Sequence, residues 1–374
     1  MSKQILITGG AGFVGSHLAD GLLAAGHNVR VLDDLTPQVH ENGQPPAYLS
    51  SEVELIVGDV RDPNRLRDVL RGVDVVFHFA ATVGVGQSMY EISRYMSVNT
   101  QGTAELLQAM LDGKHAPEKL VVASSMSIYG EGRYVKPSTG EQIAPSVRPV
   151  AQLRAGEWEV RAADGEVLQP LPTNETKPSE INSMYALSKR DQEQLCLIYG
   201  RNYDLPVTAL RFFNIYGTRQ ALSNPYTGVA AVFASRLLNG KAPMVFEDGE
   251  QMRDFVSVHD IVRANILAME RPESNDQVIN IGGGVPITIR RVAEILCKAL
   301  GREDLQPVIS NRYRAGDIRH CFADLTKARQ LLGFEPQVTH EEGFRELAQW
   351  LANQEAEDKA DTMLKELSAY GLTA

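Results

Sequence analysis

Short runs of apolar, often β-branched residues recur through the first half of the chain, each ending in small or polar residues. Residues 4–8, 28–32, 53–57, 74–79 and 120–124 read as buried parallel strands. Between them lie stretches with helical spacing, over 13–25 and around 99–113. A long helical pattern opens after Ser183, an N-cap residue type. This βα alternation predicts an α/β fold, a Rossmann-type doubly wound parallel sheet. After a strand at 207–212 the alternation loosens. Residues 229–238 and 260–269 read as helices, 244–246, 255–256 and 278–281 as short strands, and 340–372 as amphipathic helix. The expected division is a first domain over 1–214 and a smaller C-terminal α/β lobe over 215–374, with interleaved boundaries. Residues 131–181, rich in Pro, Gly and charge, form an insertion in the first domain. Asp164-Gly165 has turn chemistry between two short strands there, which suggests a two-stranded flap.

The turn after the first strand reads Gly9-Gly10-Ala11-Gly12-Phe13-Val14-Gly15. Glycines spaced this way between a strand and a helix let the backbone approach a pyrophosphate and aim helix N–H groups at it. Asp33, at the end of the second strand, suits the adenosine ribose hydroxyls and repels a 2′-phosphate. With Asp34 beside it and no basic residue following, NAD is expected rather than NADP. Gly58-Asp59-Val60 sits at the next strand end, where Asp59 suits the adenine edge or simply opens a turn before Pro63. Small residues from Ala80 to Gly86 also suit close approach by a ligand.

Tyr185 and Lys189 lie four apart on the predicted helix, so their side chains leave one face. An ammonium beside a phenol lowers its pKa, making Tyr185 a candidate proton acceptor. The same spacing also fits a half-buried Tyr over a Lys stem. Ser125 stands just past the fifth strand, where ligands bind in open parallel sheets. His78 reads as a core histidine. Arg253 and Arg314, in an otherwise acidic chain, suit a clamp on a diphosphate, or surface ion pairs. Gly282-Gly283-Gly284 resembles a second phosphate loop, but Pro286 follows and no acid comes later at the expected place.

The 374 residues carry a formal net charge of −10, which argues against a broad nucleic-acid surface. Three scattered cysteines without metal-type spacing suggest a reducing compartment. No apolar run is long enough to span a bilayer, and the first strand begins without a leader-like segment, so no membrane association and a cytoplasmic location are expected.

Taken in order, Thr8 to Gly15, Asp59, Ser124-Ser125…Tyr129-Gly130, Tyr185…Lys189, Arg211-Phe212-Phe213-Asn214…Gly217 and Arg253-Asp254-Phe255-Val256…Asp260 resemble the extended short-chain dehydrogenase/reductase superfamily. Within it the chain is similar to the NAD-dependent nucleotide-sugar epimerase/dehydratase group. The segments 220–230 and 316–321 look most like those of dTDP-L-rhamnose 4-epimerases, with UDP-galactose 4-epimerases as cousins. The resemblance implies that Gly9, Gly12, Phe13, Val14, Gly15, Asp33, Asp59, Val60, Ala80, Ala81, Asn99, Ser124 and Phe213 hold NAD together with Tyr185 and Lys189. It implies that Ser125, Asn214, Val229, Arg253, Arg314 and Asp317 meet a nucleotide-diphosphate sugar. Tyr185, Lys189 and Ser125 would then be catalytic, in 4-epimerisation through a transient 4-keto sugar. A dTDP-6-deoxyhexose such as dTDP-L-rhamnose is the favoured substrate.

A dehydratase or another NAD-dependent nucleotide-sugar oxidoreductase is the alternative. Dehydratases of the group carry an acidic pair after the active hydroxyl, where this chain has Met126 and Ser127. Some relatives carry zinc-binding Cys and His in the insertion. Lys136, Thr139, Ala162 and Asp164 stand here instead, and no metal is expected. Val83 replaces a lysine found near the cofactor in galactose epimerases. The resemblance also implies a homodimer, with 101–110 and 185–199 of each subunit forming a helical bundle.

Overall fold

The computed structural model describes residues 2–314 and 316–373. Among these residues the largest sheet has seven strands: β1 (Gln4–Thr8), β2 (Asn28–Asp33), β3 (Glu54–Val57), β4 (Val75–His78), β5 (Lys119–Ser125), β6 (Val207–Phe212) and β7 (Gln277–Ile281). Every pairing in it is parallel, in the order β7-β6-β5-β4-β1-β2-β3. Alternate residues of a strand feed opposite cores. Ile5 and Ile7 pack with Leu18 and Leu22 of α1 (Phe13–Ala24) and with Ile261 and Ala264 of the helix Val258–Glu270. Leu6 faces the other way, toward Leu106 and Met110 of α2 (Gly102–Asp112) and Cys196 and Leu197 of α3 (Met184–Tyr203). Helices on both faces explain why these strands read as near-continuous apolar runs. The chain winds outward from β1 to β3 and then crosses to β4, so the strand order reverses beside β1. A crevice opens at the carboxyl ends there.

The second lobe is built around the strand Met252–Ser257. It pairs in parallel with Asn214–Tyr216 and His320–Cys321, and antiparallel with Pro286–Thr288. Helix α4 (Val229–Leu238), the helix Ile289–Ala299 and α5 (His340–Leu351) close over Phe233, Phe255, Leu296 and Phe344. Val258–Glu270 and β7 return to the large sheet, so the two parts interleave along the chain.

Two regions differ from the expected pattern. The predicted continuous helix over 340–372 is broken into α5 and α6 (Ala360–Ala369). The intervening stretch carries Glu355, Glu357 and Asp358, poor company for a helix C-terminus. Tertiary bonds hold it extended: Asn239 Nδ2 donates to the Ala356 carbonyl (2.7 Å), and Asp358 pairs with Lys241 (2.8 Å). The insertion is also richer than a two-stranded flap. Its Asp164-Gly165 turn is present, with Ala162 N donating to Glu166 O at 2.8 Å. Beside it lies a three-stranded antiparallel sheet of Arg133–Val135, Gln142–Ile143 and Gln169–Leu171. Lys136 pairs with Asp164 and lies 3.8 Å from Glu166.

A buried charge network fastens the insertion to the second lobe. Arg148 donates to both carboxylate oxygens of Glu247 (3.0 and 2.8 Å) and to the Asp317 carbonyl (3.1 Å). Arg319 bridges Glu247 (3.1 Å) and Asp248 (2.7 Å), and Glu131 accepts from Arg319 N (2.7 Å). Removing one member strands an uncompensated buried charge. Arg148→Ala should therefore cost about 3–5 kcal/mol in urea unfolding. A loss below about 1 kcal/mol, the value of an exposed pair, would contradict this packing.

Candidate active site

A cleft of about 1070 Å³ runs from the turn after β1, across the ends of β4, β5 and β6, to the second lobe. Its glycine end is shaped by close approach. Gly9 has φ of +70°, and a Cβ there would lie 2.8 Å from Ala80 N. A Cβ on Gly15 would lie 2.5 Å from Gly10 Cα, so α1 can pack on the turn only without a side chain. Helix α1 starts at the N-cap Gly12 with no capping side chain and no acid in its first turn. Its first N–H groups are therefore left for an anion in the cleft, where Phe13, Val14 and Gly15 line the wall. Asp33 accepts from Ala11 N and Leu35 N, both at 3.0 Å, which fixes its carboxylate beside the turn. Asp59 and Val60 line the same end, with Arg61 Nε on Asp59 at 2.9 Å. Arg61 holds the Asp59 carboxyl below its ordinary value through that bond. This cradle, with bare N–H groups for a pyrophosphate and carboxylates for a ribose, fits a dinucleotide.

The middle of the cleft is set by α3. Ser183 caps it, its Oγ accepting from Ala186 N (3.1 Å). Tyr185, Lys189 and Glu193 follow along one face at four-residue intervals. Glu193 is buried and accepts from Arg211 Nε (2.9 Å) and Nη2 (2.8 Å) and from Ser124 Oγ (2.7 Å). Ser124 thus turns its hydroxyl away toward α3. Ser125 lines the cleft, and its Oγ accepts from Ser127 N (3.2 Å) and Ser127 Oγ (2.9 Å). Lys189 Nζ donates to Gln192 Oε1 (2.7 Å), and Gln192 Nε2 donates to the Ala80 carbonyl (3.2 Å) and Thr103 Oγ1 (3.1 Å).

These surroundings correct the expected pre-activation of Tyr185 by Lys189. Burial pushes the Tyr185 phenol up to about 12, and the nearby Ser125 hydroxyl only partly opposes it. The two oxygens form no closed hydrogen bond among the described residues. Burial also pulls the Lys189 amine down to about 7, and its bond goes to Gln192 rather than to the phenol. The protein alone therefore holds a neutral phenol.

At the far end Asn214, Val229, Arg253, Arg314 and Asp317 all line the cleft. The buried Oδ1 of Asn214 has no partner among the described residues. Arg314 donates to Asp317 Oδ2 (2.8 Å) and lies over the Phe246 ring (4.9 Å). Arg253 donates to the carbonyls of Ile318 (2.5 Å) and Arg319 (3.0 Å), with Asp317 at 3.5 Å. Both arginines converge on Asp317. Asp317 is half-buried, and against the upward push of that burial Arg314 and Arg253 hold its carboxyl below the ordinary value. Ala315, next to Arg314 in sequence, lies outside the described residues.

Asn99 is the one expected cofactor residue that does not line the cleft. A π-helical turn over Met96–Gln101 points it inward. There it accepts from Thr82 N (2.7 Å) and donates to Thr82 O (3.0 Å) and Ser188 Oγ (2.9 Å). It shapes the loop after β4. His78 is fully buried between Thr8 Oγ1 and Thr103 Oγ1, each at 2.8 Å, and burial takes it down to about 3. The Gly282-Gly283-Gly284 turn spends its N–H groups on the buried Asp254, with Gly283 N at 2.5 Å. Two features of the wall were not expected there: Arg61 and the tail residues Met363, Leu367 and Leu372. Among the described residues no group of three or more His, Cys, Asp or Glu side chains is placed to hold a metal. No described helix is long and apolar enough to cross a membrane.

Residues 5–282 match the NAD dependent epimerase/dehydratase family, and the chain belongs to it. It is an NAD-dependent enzyme of that class. Among individual proteins it is similar to dTDP-L-rhamnose 4-epimerase of Burkholderia thailandensis, 34% identical over 354 residues that cover 94% of this chain and 96% of that protein. Among solved structures it is similar to UDP-glucose 4-epimerase of Thermotoga maritima with UDP-glucose (30% identity, TM-score 0.75, 93% and 98% of the two chains). It is also similar to the dTDP-glucose 4,6-dehydratase of Streptomyces venezuelae with NAD bound (28% identity, TM-score 0.74, 94% and 97% of the chains).

The buried Lys189 has a measurable signature. Its ordinary value is 10.5 and its folded value about 7, so between these the unfolded chain binds more protons at this position than the folded one. Its contribution to stability is full above the upper value and is lost as pH falls toward 7. In urea titrations of NAD-free protein, Lys189→Met should flatten the rise in stability across that window. An unchanged slope would place the amine in solvent.

Proposed function

We propose that the protein is a nucleotide-sugar 4-epimerase working through a transient 4-keto sugar, with a dTDP-6-deoxyhexose such as dTDP-L-rhamnose as substrate. The observation that carries this reading is the convergence of Tyr185, Lys189 and Ser125 midway between a dinucleotide cradle and the Arg253–Arg314 pair. In this reading the cradle holds the pyrophosphate of NAD, and Asp33 takes the adenosine ribose. Arg253 and Arg314 meet the diphosphate of the nucleotide sugar, which draws Arg314 from Asp317. Bound NAD+ supplies a hydride acceptor for the sugar C4 and a positive charge beside the phenol. Tyr185 then takes the proton of the 4-hydroxyl and returns it after the sugar has presented its other face, while Ser125 hydrogen-bonds the same oxygen. Lys189, leaving Gln192 for the ribose hydroxyls, would add to the stabilisation of the phenolate.

Elimination of water needs a further base, and the neighbours of Ser125 lack one. Met126 has no acidic group, and Ser127 donates to Ser125 Oγ. The carboxylates lining the cleft, among the described residues, are Asp33, Asp34, Asp59 and Asp317, all at its two nucleotide-binding ends. This favours epimerisation over the dehydratase reading. Cys196, Cys297 and Cys321 are buried and unpaired, which suits the cytoplasm.

Incubation with dTDP-L-rhamnose should yield its 4-epimer by NMR with no net NADH. Tyr185→Phe should slow turnover by about a hundredfold to ten-thousandfold. Formation of a 4-keto-6-deoxy product from a 6-hydroxy sugar would instead establish the dehydratase. A homodimer through α2 and α3 is also inferred, since Leu111, Ile198 and Tyr203 are exposed there. Light scattering should give twice the 41.1 kDa chain mass, and a monomer would remove this part.

A further inference from the structure

The C-terminal segment crosses the mouth of the cleft and is fixed at both ends. Its root sits on α4, where Asp358 lies 3.5 Å from Arg236 and Ser235 Oγ donates to the Glu357 carbonyl (3.3 Å). Its far end lies against the opposite wall. There Thr373 pairs with Arg314, and its hydroxyl donates to the Tyr313 carbonyl (3.2 Å). Between the two, Tyr370 stacks on Tyr90 at 4.7 Å, and the Glu366 carboxylate accepts from the hydroxyls of Tyr90 (3.0 Å) and Tyr226. The polar latch faces outward, while Met363, Leu367 and Leu372 face the cleft.

Leu367 reaches the catalytic end through a short chain of contacts. A Cβ on Gly86 would lie 3.2 Å from Leu367 and 4.0 Å from the Tyr226 ring. One on Gly84 would lie 2.8 Å from Tyr226 Cβ and 2.9 Å from the Tyr95 hydroxyl. Tyr95 in turn packs edge-on against Tyr185, with ring centroids 6.4 Å apart. Through the 84–86 loop and Tyr95 the middle of the segment is thus linked to the side of the cleft on which Tyr185 stands. Its cleft-facing side is apolar, with Glu366 just outside it. Arg94, the cation lining this side, is already paired with Glu91 (2.8 Å). On this wall, among the described residues, a sugar carboxylate would meet apolar side chains and a cation already paired.

We propose that residues 360–373 form a strap over the sugar half of the site, and that Leu367 is a specificity residue favouring a hexose with a methyl group at C5. The proposal rests on the nucleotide-sugar reading above and narrows it. A methyl seated on Leu367 loses no hydrogen bond, whereas a hydroxymethyl or carboxylate must be stripped of water. The strap must part from Tyr90 and Tyr226 to admit the substrate.

The test compares dissociation constants of dTDP, dTDP-L-rhamnose and dTDP-glucose for the full, NAD-loaded chain, with retained NAD as the check on folding. In Leu367→Asn the preference for dTDP-L-rhamnose over dTDP-glucose should fall about tenfold, and Leu367→Met should restore it. In the wild type, dTDP-L-rhamnose should slow amide exchange across 360–373 more than dTDP does. An unchanged preference in Leu367→Asn, equal weakening of all three ligands, or unaltered exchange would overturn the strap. Turnover with an unchanged preference removes the strap and leaves the epimerase. Absence of turnover with the strap effects intact removes the epimerase and leaves the strap. A wild type that binds neither sugar overturns both.

Discussion

The geometry of the cleft depends on a buried ion pair beneath it. Glu193 and Arg211 join α3 to β6, and Ser124 ties the same carboxylate to β5. Arg211 also donates to Tyr129 Oη (2.8 Å), which donates to Asn280 Oδ1 on β7 (2.7 Å). One helix and three strands thus share a single hydrogen-bonded knot. Such a pair has little net value over a well-packed apolar alternative, yet breaking it is costly. What it sets is register. Glu193 lies one helical turn below Lys189 and two below Tyr185, so anchoring the carboxylate aims both other side chains at the end of β5, where Ser125 stands.

Above that knot, burial and charge pull against each other. A phenol pushed up to about 12 and an amine pulled down to about 7 are the two expected results of taking ionisable groups out of water. The phenol is thereby poorly matched to proton transfer near neutrality, and an amine that is partly uncharged there lends it less positive charge. Both effects are relieved by charges brought into the cleft, since a cation steadies a phenolate and an anion steadies an ammonium. The chain keeps the amine on a neutral partner, Gln192, from which it can leave without abandoning a carboxylate. Arg253 and Arg314 are held differently, since they share the Asp317 carboxylate and so are oriented before a diphosphate is present.

The elements legible in the sequence are those with strong local rules. Parallel strands buried on both faces, the glycine turn, Asp33 and the Tyr185–Lys189 spacing each follow from chemistry confined to a few neighbouring residues. What escaped depends on distant partners. Asn99 turns inward because a single π-helical turn rotates it toward Thr82. Arg61 reaches the cleft by folding back on Asp59, and Gln192 matters only once Lys189 is buried. The strands of the insertion are two or three residues long, too short for an alternation to register, and one of them contains Pro170. The break after α5 lies in a stretch without Gly or Pro and is imposed by α4. Spacing along a helix likewise says nothing about how dry the pocket around Tyr185 and Lys189 is.

If Tyr185 exchanges only protons with the 4-hydroxyl, the hydrogen on C4 must leave and return within one active site. Turnover of a dTDP-6-deoxyhexose deuterated at C4, in ordinary water, distinguishes this from other chemistry. Full retention of deuterium at C4 of the epimer, without crossover to unlabelled substrate, is the predicted result. Deuterium lost to solvent or transferred to another sugar molecule would contradict it.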